Sequence, residues 1–318
     1  MDVDLNSDPD PRPVHPLLLL FRAPPAPPPN LKPVPELPEV ETIRRHLAPE
    51  VEGLVLQSLD VLDPRWCEPA PPSDVHDATR GRRIERLSRR GKYLDWELED
   101  EVHVLMHLRM TGNLMLAAPG EPLPRYARVV LELSSGNRVL FTDPRRFGTG
   151  VVLLGDGARD AYFAERLGVE PLGPDFTADA LRALASGRRA PVKAFLLSQE
   201  RVAGVGNIYA DEALFRARIH PLRPVGTLKR KQIAELRDAV VESLSAGIDA
   251  RGASIDDFRN PDGARGSFQD RFLVHLREGE PCVRCGRTIV KMRAAGRGTY
   301  VCERCQPRPR VRSRSKLV

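Results

Sequence analysis

Pro35-Glu36-Leu37-Pro38-Glu39-Val40-Glu41 is the stretch around which the chain is organised. It reads as the mouth of an amphipathic helix, because Val40, Ile43 and Leu47 follow at i, i+3 and i+7 and give one apolar face. A proline at the first helical position costs no hydrogen bond, since that N–H has no partner within the helix. Glu36 and Glu39 lie three apart near the positive end of the helix dipole, where ionised carboxylates are stabilised. Taken alone, the stretch is a well-capped surface helix. A second chemical reading exists: with Pro35 as amino terminus, its ring nitrogen is a secondary amine and therefore a nucleophile.

Working outward, the chain of 318 residues is long enough for two or three modest domains with real cores. Lys and Arg total 49 against 43 Asp and Glu, a net charge of +6, which favours a polyanionic partner. No apolar run approaches the ~18 residues of a membrane span. Leu17 to Phe21 is too short for a signal-peptide core, and the residues before it carry four Asp. Ten of residues 1–34 are proline, so this segment can bury little and is expected to be disordered.

After the first helix the period changes to two. Tyr93 to Leu98 and Val102 to Leu108 form a strand pair around Glu99-Asp100-Glu101. Val129, Leu131 and Leu133 share one face, Ser134 to Asn137 supply a turn, and Val139 and Phe141 resume the alternation. Closely spaced strands of this kind argue for an antiparallel sandwich or barrel. Leu167 to Pro174 carries the breakers of a connection. Helical periodicity then covers Ala178 to Ser186, Val192 to Gln199, Ile208 to Arg218 and Leu228 to Ile248, followed by a long mobile loop over residues 251–268.

Cys282-x2-Cys285-x16-Cys302-x2-Cys305 is the strongest motif. Two CxxC pairs place four thiolates on one ion with no open position, the pattern of a structural tetrahedral zinc site; an iron centre or a redox dithiol is the minor alternative. Arg284, Arg287, Lys291, Arg293 and Arg297 lie in and between the pairs, a density of cations that suits phosphate contacts or a solvated face. Gly204-Val205-Gly206-Asn207 precedes a helix start whose N–H groups can bind a phosphate, with Asn207 as the expected N-cap; an ordinary helical corner reads equally well. Asp143-Pro144-Arg145-Arg146-Phe147-Gly148 closes a strand and combines cations with an apolar wedge, although a core Phe beside solvated arginines is the commoner case. Met110, at another strand end, is core filling by default. Lys92 follows the basic turn Arg89-Arg90-Gly91.

Together, and in this order, these stretches resemble the bacterial formamidopyrimidine-DNA glycosylases, from Pro35 to about Gln306. The resemblance implies an α+β multidomain fold: an N-terminal antiparallel β-sandwich with flanking helices (35–167), a linker (168–176), a helix–two-turn–helix DNA-binding domain with a lesion-capping loop (177–268), and a C-terminal zinc-finger β-hairpin (269–306) ahead of a basic disordered tail (307–318). It implies one structural zinc ion and a monomeric, cytoplasmic, nucleoid-associated enzyme that takes damaged double-stranded DNA and no membrane. Pro35 is the implied nucleophile and Glu36 the general acid, with Lys92 completing the catalytic set. Lys92, Asn207 and Arg297 look like a phosphate clamp around the lesion. Met110, Arg145 and Phe147 look like the residues that fill the space left by a flipped nucleotide, with Arg145 facing the orphaned cytosine and Arg146 a further DNA contact. The implied reaction removes oxidised purines and then cleaves the strand by β- and δ-elimination. The nearest rivals are the endonuclease VIII branch, which prefers oxidised pyrimidines, and a DNA-binding module without catalysis. Two positions depart from the family pattern: Ser198 stands where Asp is common, and Gly298 where Ser or Ala is usual.

An internal Pro35 has an amide nitrogen with no lone pair to spare. The residue before it is Val34, which a GTG codon encodes internally, and GTG also initiates translation as methionine. The reading therefore expects residues 1–34 to be a start-site artefact or a cleaved leader. The active chain then spans residues 35–318 with a charge of +7, from 46 Lys and Arg against 39 Asp and Glu.

Overall fold

A computed structural model describes residues 35–254 and 260–309; the disorder expected of residues 1–34 and of the tail beyond 309 lies outside the described residues. The chain opens with α1 (Leu37–Val51) and β1 (Val55–Val61), then α2 (Pro72–Thr79) and seven further strands: β2 (Arg82–Arg90), β3 (Tyr93–Leu98), β4 (Val102–His107), β5 (Asn113–Ala117), β6 (Ala127–Leu133), β7 (Arg138–Thr142) and β8 (Thr149–Leu154). Every pairing is antiparallel, in the order β5-β7-β6-β1-β2-β3-β4-β8. The two halves of this sheet meet only at Val55↔Arg83 and Leu56↔Arg82, so the sheet folds over there into two facing layers. One core lies between: Leu87, Leu94, Trp96, Val104 and Met106 from one half, Leu59, Leu131, Val139 and Phe141 from the other, with Val40, Ile43 and Leu47 of α1 against them. The period-two alternation is what made this sandwich legible. Leu94, Trp96 and Leu98 face that core, whereas Tyr93 and Leu105 face α3 (Asp156–Arg166) on the outside. The β3–β4 hairpin turns through Asp100 and Glu101, both at positive φ (60° and 54°).

The helical part comprises α4 (Ala178–Ala185), α5 (Val192–Leu197), α6 (Asn207–Arg216) and α7 (Arg230–Asp249), around a second core in which Phe195, Tyr209, Leu214, Leu236, Leu244 and Phe268 are buried. Leu37 of α1 belongs to this second core, so the first helix serves both. The loop expected at 251–268 is anchored at its base. Ser267 N–H donates to Ala250 (2.8 Å), Phe268 N–H donates to Gly252 (3.1 Å), and Phe268 is fully buried; residues 255–259 lie outside the described residues. The chain ends in the hairpin β9 (Val290–Ala294) and β10 (Arg297–Val301), which pairs Arg297↔Ala294. No helix among the described residues is long and apolar enough to cross a membrane.

Candidate active site

Glu36 sits where the two cores meet. It is the N-cap of α1, with Pro35 just outside the helix and Pro38 inside the first turn, so the first helical position falls to Leu37, between the two prolines. Its carboxylate reaches across to the other half and accepts from Ile208 N–H (2.9 Å) and Tyr209 N–H (3.4 Å) at the start of α6. The N-cap residue of α1 in one half thus also caps a helix of the other. This corrects the expectation for Asn207: the cap position is Gly206, Asn207 is the first helical residue, and Glu36 satisfies the N–H groups that an Asn cap would have served. A Cβ at Gly206 would stand 2.2 Å from the Glu36 carboxyl carbon, so only glycine leaves room. Gly204, at φ +80°, brings its carbonyl to Leu37 N–H (3.1 Å).

Glu39 completes the cradle. One oxygen accepts from Glu36 N–H (2.9 Å); the other accepts from the Tyr209 hydroxyl and from Ala253 N–H, both at 2.7 Å. Burial pushes the Glu39 carboxyl up to about 7, and the nearby Glu36 charge adds to the effect. Burial also raises Glu36, against the opposing pull of the Lys92 cation and the Ile208 N–H. Lys92 is lowered by burial, with Glu36 resisting. Burial thus works against the charge on both groups, as it does at sites built for proton transfer.

The turn that delivers Lys92 is fastened across the molecule. Glu170, in the connection to the helical part, accepts from Arg89 (2.7 Å), Arg90 (2.9 Å) and Gly91 N–H (2.9 Å), and Arg89 also donates to Glu41 (3.0 Å). Arg297 opens β10, and its charge acts on Lys92, so the zinc hairpin reaches the same site. Asn207 Nδ2 donates to the Gly298 carbonyl (3.1 Å), and its buried Oδ1 has no protein partner among the described residues.

A second group lies at the end of the sandwich. Asp143 is fully buried and accepts from Arg145 N–H (3.1 Å), Phe147 N–H (2.8 Å), Gly148 N–H (2.7 Å) and the Thr111 hydroxyl, which fixes the 143–148 loop beside the Met110 turn. Phe147 is 42% exposed with the Arg145 guanidinium 4.8 Å from its ring centre, and Arg146 is exposed and pairs with Asp63 (3.1 Å). Met110, by contrast, is 6% exposed: this side chain packs within the protein instead of standing out.

The four cysteines converge. Their sulfurs all lie within 4.8 Å of one another, with Cys282 to Cys305 at 3.9 Å and Cys285 to Cys302 at 3.5 Å. Four thiolates at ~2.3 Å around a tetrahedral zinc ion stand about 3.8 Å apart, so the cluster fits that ion. The fifth cysteine, Cys67, is buried and its thiol donates to Ala70 O (3.2 Å).

Sequence reasoning assigned nothing to Tyr209, Lys193, Asp211, Glu212 or Asp143. The first four sit on or beside α6 and look like ordinary core or surface positions until the second half of the molecule is packed on them. Tyr209 alone carried a signal, being a polar aromatic in the first turn of the helix that follows a glycine-rich turn.

Three family models cover the chain in order: the formamidopyrimidine-DNA glycosylase N-terminal domain at residues 34–150, the corresponding H2TH domain at 167–259, and the zinc finger found in FPG and IleRS at 279–308. The formamidopyrimidine-DNA glycosylase of Chloroflexus aurantiacus is 44% identical over 276 residues, 86% of this chain and 98% of that protein. Among solved structures, MutM (Fpg) from Thermus thermophilus is 41% identical with a TM-score of 0.77, over 86% of this chain and 98% of that one. A Lactococcus lactis Fpg variant in complex with Fapy-dG-containing DNA superposes with a TM-score of 0.81 at 34% identity, over 86% of this chain and 100% of that one.

Proposed function

The chain belongs to the formamidopyrimidine-DNA glycosylase family, and on that premise we propose that it is a bifunctional glycosylase and abasic-site lyase of base-excision repair, acting on oxidised purines in duplex DNA. It works as a monomer, with catalysis in residues 35–167, DNA binding in 177–268 and the zinc finger in 269–306. The observation that carries this reading is the Glu36 carboxyl, next in sequence to Pro35, buried at the start of α6 and held towards its protonated form.

In the proposed reaction the Pro35 amine forms a bond to the sugar C1′ as the bond to the base breaks, and the amine proton leaves with the base. Glu36 delivers its proton to the ring oxygen, the sugar opens, and a cationic iminium remains. The Glu36 carboxylate then accepts the C2′ proton, starting β-elimination, and δ-elimination follows on the same electron sink. An α-amino group has a reference pKa of roughly 7.7–8.0, so a useful fraction is free base near neutrality. Lys92, Asn207 and Arg297 clamp phosphates beside the lesion. Phe147 and Arg145 fill the vacated stack and read the orphaned base, Met110 moving out to join them, with Arg146 on the backbone. Zinc, held by Cys282, Cys285, Cys302 and Cys305, supplies rigidity to the hairpin that carries Arg297.

Borohydride trapping on a duplex with 8-oxoguanine opposite cytosine tests the mechanism, because reduction of the iminium fixes protein to DNA. The expected adduct maps to Pro35 on a chain that starts there. An adduct mapped to a lysine, or efficient trapping by a chain that keeps Val34, overturns the assignment.

A further inference from the structure

A buried polar cluster under the zinc hairpin has no part in the chemistry above. Lys193 of α5, Asp211 of α6 and Thr299 of β10 are all fully buried. The Lys193 ammonium donates to Asp211 Oδ1 (2.6 Å), to the Thr299 hydroxyl (2.7 Å) and to the Gly298 carbonyl (3.4 Å), which uses all three of its N–H groups. The Thr299 hydroxyl passes the chain on to the Arg297 carbonyl (3.1 Å). Asp211 Oδ2 pairs with His275 Nδ1 (2.9 Å) and accepts from Tyr300 N–H (3.4 Å). Backbone at Arg297, Gly298 and Tyr300 is therefore gripped from beneath.

Desolvating an ion pair costs about as much as its attraction returns, so an apolar pair would stabilise the same space equally well. What an apolar pair cannot do is fix a strand along its length, because dispersion contacts have no direction. A two-stranded hairpin has little rigidity of its own. We propose that Lys193, Asp211 and Thr299 are positioning residues, a lock that sets the register of Arg297 and Gly298 over α6 so that Arg297 and Asn207 meet the same DNA phosphate. The proposal rests on the reading of Arg297 and Asn207 as a phosphate clamp.

The test uses the full chain and a duplex with a tetrahydrofuran abasic-site analogue, with affinity measured across a salt series. Thr299→Val removes the link to Arg297 without stripping a charge. It is expected to weaken binding by roughly tenfold, less than the ~100-fold that an ångström of misplacement can cost, and to flatten the salt slope by about 0.9, one phosphate contact. Zinc content should be unchanged. Thr299→Ser, which keeps the hydroxyl, should restore wild-type affinity, and Thr299→Val with Arg297→Ala should bind no worse than Arg297→Ala alone. Additive losses, wild-type binding by Thr299→Val, failure of the serine variant to rescue, or loss of zinc overturns the lock. If Arg297→Ala alone leaves affinity and salt slope unchanged, the clamp reading fails on that arm, and the lock falls with it.

Discussion

Gly206→Ala is the smallest change that tests how the two halves build one active site. Gly206 has φ −127°, open to any residue, so alanine brings no backbone strain and its effect is purely one of space. The new Cβ would lie 2.2 Å from the Glu36 carboxyl carbon, 2.5 Å from Oε1 and 2.6 Å from Cγ. Carbon atoms pack at about 3.5–4.0 Å, so the carboxylate must retreat by about 1 Å. Its 2.9 Å bond from Ile208 N–H is then lost. Losing a neutral hydrogen bond costs about 0.5–1.5 kcal/mol and overpacking a well-filled site about 1–3 kcal/mol. The two overlap, and a net destabilisation of about 2 kcal/mol is expected. Misplacing the general acid by that distance should slow single-turnover formation of the borohydride-trappable iminium by about 100-fold. The assay pairs thermal unfolding with single-turnover borohydride trapping on a duplex carrying a formamidopyrimidine lesion at excess enzyme. Gly157→Ala is the control: it lies in α3 with open space around it and should be neutral or slightly stabilising. A Gly206→Ala enzyme that turns over and melts like wild type refutes the reasoning.

Three further outcomes are expected. Cys302→Ser should lose zinc and weaken DNA binding while the sandwich stays folded, because its core shares no residue with the cluster around Cys282 and Cys302; retained stoichiometric zinc with full affinity contradicts this. Arg145→Ala should lose discrimination for the base opposite the lesion, whereas Asn207→Ala should weaken all duplexes alike and reduce the salt slope; equal effects on opposite-base preference contradict the assignment. Glu39 has a folded-state pKa of about 7 against an ordinary 4.5, so its contribution to stability is fully present below pH 4.5 and is lost as pH rises to about 7, a fall of roughly 3 kcal/mol at ~1.36 kcal/mol per unit. Glu39→Gln cannot titrate, so its melting curve should gain on wild type across that window; parallel curves contradict the shift.

The sandwich was legible because one face of each strand is apolar and the period is two; the β3–β4 and β6–β7 hairpins fall where alternation and turn residues placed them. The cysteine cluster was legible because spacing alone brings CxxC pairs together. Partnerships across the molecule left no local trace. Glu36 capping α6, Glu170 holding the Gly91 turn, and Asp211 shared by Lys193 and His275 join residues that are 64 to 172 positions apart or lie on different elements. Asn207 was assigned the cap because the sequence around it offers no other polar side chain before the helix, and the true occupant arrives from the other end of the chain.

That arrangement bears on how catalysis and recognition are coupled. The Glu36 carboxylate is held by Ile208 and Tyr209 N–H groups, and the Glu39 carboxylate by Tyr209 and Ala253, all from the helical half. Gly91 is packed against Leu167, Ala203 and Gly204, so the turn before Lys92 also rests on that half. A small rotation between the halves would therefore lengthen the bonds to Glu36 and Glu39 together. N–H groups favour the ionised carboxylate and burial favours the neutral acid. Opening the interface would remove both influences at once and return Glu36 towards an ordinary solvated glutamate. In the proposed mechanism the general acid is therefore fully assembled only while the halves are closed on each other, and DNA bound across both would hold them so.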